Sequence, residues 1–287
     1  MENKINELKN FYIFSLGQFV SQFGSKLSSY GFILWAYKES NSVLTTSLLG
    51  ACYLVPEIFF SFIAGGISDS WNKKSIIILS DTMAGFLSLL VLMLFSFDIL
   101  EVKHLYIINF LLGIGDAFQN PASEVVISII VSKENYIKTS GIRSFFNSFI
   151  TIFVPICSVA IYSFSGLKYI LIVDLLTFLF ALLTLIFLVY IPEIKSLKEE
   201  NINIFKQCIA GVKYIFYRKN ILALIYFMGF INFIAGMYNT ALAPMIFSRT
   251  GNNDIQLGVV TSSIGISGLL GSLIVQKFPQ PKKRVPL

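Results

Sequence analysis

Eight apolar runs, each long enough to cross a bilayer, constrain this chain more than any other feature. A spanning helix needs about 20 mostly apolar residues, and such runs lie at about 11–36, 44–67, 75–97, 105–131, 145–164, 168–191, 221–247 and 256–276. Of the 287 residues only 13% are charged and 55% are apolar or aromatic, against roughly 25% charged in an ordinary soluble domain. The runs predict an all-α polytopic membrane protein, because a helix satisfies its own backbone in hydrocarbon. The first run is too long for the apolar core of a signal peptide, and no small-residue cleavage site follows it, so it is read as retained.

Charge placement orients the runs. With the N-terminus inside, 17 of the 22 Lys and Arg fall in cytoplasmic segments; Lys38, Lys103, Lys168 and Arg249 fall outside, and Lys26 lies within the first run. The net charge of +6 therefore reports topology rather than nucleic acid. Both termini are expected in the cytoplasm and the chain in the cell membrane, with the lipid bilayer as its surroundings. Cys52, Cys157 and Cys208 have no paired spacing and His104 is the single histidine, so neither a disulfide framework nor a metal site is expected. No nucleophile–base pair or phosphate-cradling loop is visible, which argues against an enzyme and against a bound cofactor.

Polar residues inside the runs carry the functional signal. Ser15, Gln18, Gln22, Ser25 and Ser29 follow one another at steps of three and four residues, which keeps one helix face polar. Lys26 borders that face. A charge at a helix centre costs about 2.5–3.5 kcal/mol on insertion scales, so Lys26 either faces a wet cavity or snorkels to the outer interface. In the second run Pro56 kinks the helix and frees a carbonyl, and Glu57 beside it is either a neutral packing residue or a coupling group. The fourth run carries Asn109, Asp116 and Ser123 at heptad spacing, with Gln119 and Asn120 adjacent. Two polar faces on two helices imply a shared aqueous cleft, and Asp116, near the midplane, is the expected counter-charge of Lys26. Asp81, about 9 Å into its run, is expected at the interface, paired with a lysine. Asp174 is expected there too, Glu124 in packing the following loop, and Arg143 at headgroups or capping a neighbouring helix.

From Pro192 to Asn220 the chain turns charged, and Ile204 to Phe216 alternates apolar residues and lysines in the manner of a helix lying on the inner membrane face. The expected organisation is a six-helix bundle over 1–191, a cytoplasmic linker over 192–220 and two helices of a second bundle over 221–287. Asn232 and Asn239 flank Gly236 at heptad spacing, and Gly258, Gly265, Gly268 and Gly271 favour close helix contact. Phe11 to Gly65 is 54 residues, Ile221 to Gly271 is 50, and a basic turn follows each. This spacing reads as an internal repeat. It ends four helices short of a second copy.

Between the second and third runs stands Gly65-Gly66-Ile67-Ser68-Asp69-Ser70-Trp71-Asn72-Lys73-Lys74, a short charged loop. It resembles the loop signature of the major facilitator superfamily, Gly-x-x-x-Asp-(Arg/Lys)-x-Gly-(Arg/Lys)-(Arg/Lys), with Gly65, Asp69, Lys73 and Lys74 in register and Ser70 and Asn72 departing from it. Pro56, the Gly113-x-Gly115-x-Ala117-Phe118-x-x-Pro121-Ala122 pattern and the basic turn after the fourth run resemble its macrolide-efflux type of drug exporter. That resemblance implies two six-helix bundles rocking about a midplane site, and proton-coupled export of amphipathic small molecules. It also implies that the first, fourth and seventh helices line the cavity, which adds Gln18, Gln22, Asn120, Asn232 and Asn239 to Lys26, Glu57 and Asp116 as candidate substrate or coupling residues. The signature residues imply a latch against a helix N-terminus of the second bundle. Asn109 stands where related antiporters carry an arginine, and only Pro155 remains of a fifth-helix Gly-Pro-x-x-Gly-Gly pattern. The latch partner belongs to helices beyond the eighth, so the chain is expected to be truncated and unable to cycle unless a separate chain supplies them. Two alternatives stand beside drug export: transport of another small solute, and a non-transporting remnant.

Overall fold

The computed structural model describes residues 2–132, 135–191, 213, 215–251 and 253–277. Long helices account for all eight apolar runs: α1 (Glu2–Ser40), α2 (Val43–Ser70), α3 (Lys73–Ser96), α4 (Val102–Ile130), α5 (Tyr136–Phe187), α6 (Lys219–Thr250) and α7 (Asp254–Lys277). The fifth and sixth runs are the two halves of α5, joined at Gly166 with φ 73° and ψ −176°. That conformation is open almost exclusively to glycine. The linker helix expected at 204–216 and the basic turn after Lys277 lie outside the described residues, apart from Lys213 and the helical stretch 215–217.

Local chemistry sets the corners. Asn41 turns the chain with φ 47°, and the Thr45 amide donates to Ser42 Oγ (3.4 Å) at the start of α2. The Ser75 amide donates to Asn72 Oδ1 (3.2 Å) and so caps α3. At α4 the Glu101 amide donates to His104 Nδ1 (3.1 Å), which gives the single histidine a capping role. Gly251, at φ 63°, closes α6 in the left-handed conformation.

Five helices, α1 to α5, pack into one bundle. α1 lies along α5, α2 along α4, and α3 between α4 and α5. Gly17, Gly24 and Gly31 recur every seven residues on α1, facing Thr184, Asp174 with Thr177, and Ile170 with Leu167. This bare seam lets the second half of α5 approach the α1 backbone. Two apolar layers fill the bundle. At the Asn72 end, Phe11, Phe14, Ile77, Val126 and Leu185 pack together; at the Asn41 end, Phe32, Trp35, Leu87, Leu105 and Leu171 do so. Large apolar side chains such as Phe59, Phe62, Leu79, Phe86 and Leu183 point outward, as they do where the solvent is lipid.

Among the described residues, four segments are long and apolar enough to cross a membrane, namely Val43–Gly65, Lys73–Ser96, Thr139–Phe187 and Lys219–Thr250. α1 and α4 are less apolar because they carry the polar stripes, and the bundle shelters both. α7 packs on the first half of α5, where Gly265 faces Ile152, Gly258 faces Val159 and Ser262 Oγ donates to the Ile152 carbonyl (2.9 Å). α6 meets α1 near the Asn41 end, with Tyr37 and Phe247 stacked at 4.5 Å between ring centroids.

Candidate functional site

Halfway along the bundle α2 and α4 are joined by a polar ladder. Tyr53 and Glu57 stand one turn apart on α2, and Asp116 and Asn120 one turn apart on α4. The Tyr53 hydroxyl donates to Asp116 Oδ2, and Asn120 Nδ2 donates to Glu57 Oε1 (3.2 Å). The rungs are short because Gly113 lets α4 press on the Tyr53 carbonyl and the Pro56 ring. Pro56 is buried. The kink and the carboxylate beside it therefore serve one contact.

Lys26 reaches this ladder from α1. Its Nζ lies 5.4 Å from the centroid of the Tyr53 ring, in cation–π range. Lys26 and Asp116 thus meet through Tyr53, one holding the ring and the other the hydroxyl, rather than as a direct ion pair. Sequence reasoning missed Tyr53. The available signal was the shared four-residue step: Tyr53 to Glu57 matches Asp116 to Asn120.

A second polar cluster lies inside the bundle, between the two apolar layers. Asp81 is 3% exposed; Gln119 Nε2 donates to its Oδ1 (2.7 Å) and Gln18 Nε2 to its Oδ2 (3.3 Å). Gln119 Nε2 also approaches Gln18 Oε1 (3.2 Å). The expectation of an Asp81 paired with a lysine is corrected: its partners are two side-chain amides, Gln18 buried and Gln119 half-buried. Asp174 is likewise enclosed by the protein. It is 3% exposed and accepts from Ser88 Oγ (2.7 Å) and Ser25 Oγ (3.2 Å). Both corrections share one cause, since depth along a helix does not say which face points inward.

The polar stripe of α1 therefore divides. Gln18 and Ser25 serve buried carboxylates, whereas Gln22 is exposed and lines a small cavity with Ser15, Ser123, Arg143 and Asn147. On α4, Asn109 Nδ2 donates to the Leu105 carbonyl of its own helix (2.8 Å). Arg143 forms a bidentate pair with Glu124, so it anchors α5 to α4. Asn232 donates to the Met228 carbonyl (2.8 Å) and lines a cleft of about 830 Å³ between α2 and α6, with Leu54, Ile58 and Gly236 among the other walls. Asn239 is exposed two turns further along α6.

The signature stretch is more helical than its composition suggests. α2 continues through Ser70 and α3 begins at Lys73, which leaves Trp71 and Asn72 as the link. Gly65 is exposed and Asp69 falls in the last turn of α2; the side chains of 66–70 lie outside the described set. Lys74 turns into the bundle, where Nζ donates to the carbonyls of Val189 (2.9 Å) and Ile186 (3.3 Å). It holds one carbonyl in the last turn of α5 and one just past its end, where a helix favours a cation. Asn10 grips the same end, donating to the Tyr190 carbonyl and accepting from its amide.

The sequence profile of the Major Facilitator Superfamily matches residues 14–286. The chain belongs to this superfamily. Macrolide efflux protein A of Streptococcus pyogenes is 26% identical over 290 residues, which cover all of this chain and 71% of that protein. Macrolide efflux protein A of Enterococcus faecalis is 27% identical over 251 residues, 86% of this chain and 76% of the relative. Among solved structures, a D-xylose-proton symporter matches with a TM-score of 0.54 over 93% of this chain and 70% of its own, at 16% identity. That likeness shows the fold: a major facilitator first bundle followed by two helices of the second.

Proposed function

We propose that this major facilitator protein exports amphipathic small molecules of the macrolide kind, coupled to proton entry. The observation that carries the reading is similarity to two macrolide efflux proteins over most or all of the chain. The ladder supplies chemistry suited to it. A bond from Tyr53 to an ionised Asp116 is charge-assisted and about twice as strong as a neutral one, so a proton on Asp116 loosens the tie between α2 and α4. Lys26, Glu57 and Asn120 surround that switch, and Gln22, Asn232 and Asn239 offer polar contacts to a substrate between the helix groups; Gln18 acts from the core. In this reading 1–191 is the moving first bundle, 192–220 the linker and 221–287 part of the second, with the Asn72 end in the cytoplasm. Gly65, Asp69 and Lys73 form the latch at that end, and Lys74 stiffens it from within.

Accumulation of a labelled macrolide in energised cells that express the chain together with helices completing the second bundle tests the proposal. Lower accumulation than in control cells is expected, with the difference abolished by a protonophore and by Asp116→Asn. Accumulation equal to the control, or insensitivity to both the protonophore and the substitution, sinks it.

A further inference from the structure

The cavity between α1, α4 and α5 has a mouth and a floor of different character. Gln22 and Asn147 are exposed at its mouth, whereas Ser15 and Gln18 are buried at its floor. Its volume is about 80 Å³, and a water needs only about 10–15 Å³ of such space and two to four polar partners. Ser15, Gln22, Ser123, Arg143 and Asn147 supply those partners. Ser15 Oγ is buried with no hydrogen-bond partner, which is the situation a cavity water relieves.

Gln18 joins this cavity to Asp81, since one side chain lines the cavity and also donates to the carboxylate. The other groups facing Asp81 leave its charge unmatched. α4 presents Gln119 and, at longer range, Asp116; α5 presents Phe178 one turn away at Gly85 and, across the cavity, Arg143, already engaged by Glu124. Among the described residues no cation bonds Asp81. A proton on or off this carboxyl changes the charge of the bundle interior by one unit, with nothing beside it to compensate.

We propose that Asp81 is a proton-binding site separate from the Asp116 ladder, reached through the hydrated cavity from its mouth at Gln22 and Asn147, with Gln18 as its gate. In the exchange, a proton passes from cavity water to a carboxylate oxygen of Asp81 when the Gln18 amide swings aside, and returns by the same path; no other bond forms or breaks. The assignment deepens the proton-coupled reading above and rests on it for its role in transport. Its test is spectroscopic and needs no transport.

Infrared difference spectra of the full chain in lipid, recorded across the physiological pH range, read the carbonyl stretch of protonated carboxyls directly. A pH-dependent band is expected that disappears in Asp81→Asn and persists in Asp116→Asn. With Asp81 intact, the shift of this band on transfer to heavy water is expected to be slower in Ser15→Phe, where the new side chain fills the cavity floor, than in the wild type, a readout that does not require Asp81→Asn to fold. Persistence of every titrating band in Asp81→Asn, or an exchange rate indifferent to Ser15→Phe, overturns the proposal. A failed macrolide assay beside a titrating Asp81 band would overturn the export reading alone.

Discussion

The Tyr53 hydroxyl is the smallest group on which the candidate site depends, since its ring holds Lys26 and its oxygen holds Asp116. Tyr53→Phe keeps the ring and removes the bond, leaving a half-buried carboxylate without its donor. The expected loss of stability is about 1–3 kcal/mol, read as a lower unfolding midpoint in detergent, and Lys26→Met should cost about as much in that background as in the wild type, since the ring that it covers remains. Gly113 is a stricter test of the same contact. A Cβ there runs into the Tyr53 carbonyl, which is backbone and has nowhere to go. Gly113→Ala is expected to cost about 1–3 kcal/mol by overpacking, against little effect for alanine at Gly236, where a Cβ meets nothing within 4 Å. Comparison of the two midpoints checks the helix contact independently of transport.

At the scale of the element, two junctions decide how helices begin and bend. Asn72 departs from the glycine of the family signature, yet it caps α3. Replacing a capping Asn costs typically about 1 kcal/mol for alanine and only a few tenths for glycine. Asn72→Ala is therefore expected to destabilise the chain while Asn72→Gly, which restores the signature, stays near the wild type. The break in α5 behaves differently. Gly166 has φ 73° with ψ −176°, outside the left-handed helical well that asparagine tolerates. Both Gly166→Ala and Gly166→Asn are expected to cost about 1–3 kcal/mol, and parity of either with the wild type in thermal unfolding would contradict that backbone geometry.

For the whole molecule, the contacts between the first bundle and the last two helices are uneven. Tyr37 stacks on Phe247 and the surrounding cluster includes Leu34, Val159, Leu242 and Leu257, whereas α2 and α6 are separated by the cleft of about 830 Å³. In a background without native cysteines, Tyr37→Cys with Phe247→Cys is expected to form a disulfide readily under mild oxidation, and Leu54→Cys with Phe233→Cys far more slowly. Equal rates would remove the asymmetry. Much of this architecture was legible in the sequence. Long apolar runs can satisfy their backbones in lipid only as helices, so number and approximate position followed from hydropathy, and the signature with Gly65, Asp69, Lys73 and Lys74 named the family. Spacing also located the polar faces of α1 and α4, because three- and four-residue steps place side chains together whatever the fold. The partners were not legible. Asp81 and Asp174 looked interfacial because position along a helix measures depth, while burial depends on which neighbouring helix closes over that face, here through the glycine seam of α1. Lys74 was read with the latch residues because sequence does not show that the end of α5 returns to within a side chain of α3. Helices and membrane location were thus set by each segment's own chemistry, whereas the Tyr53–Asp116 ladder, 63 positions apart, the buried Asp81 and the cavity beside it exist only because residues distant in sequence are brought together by helix packing.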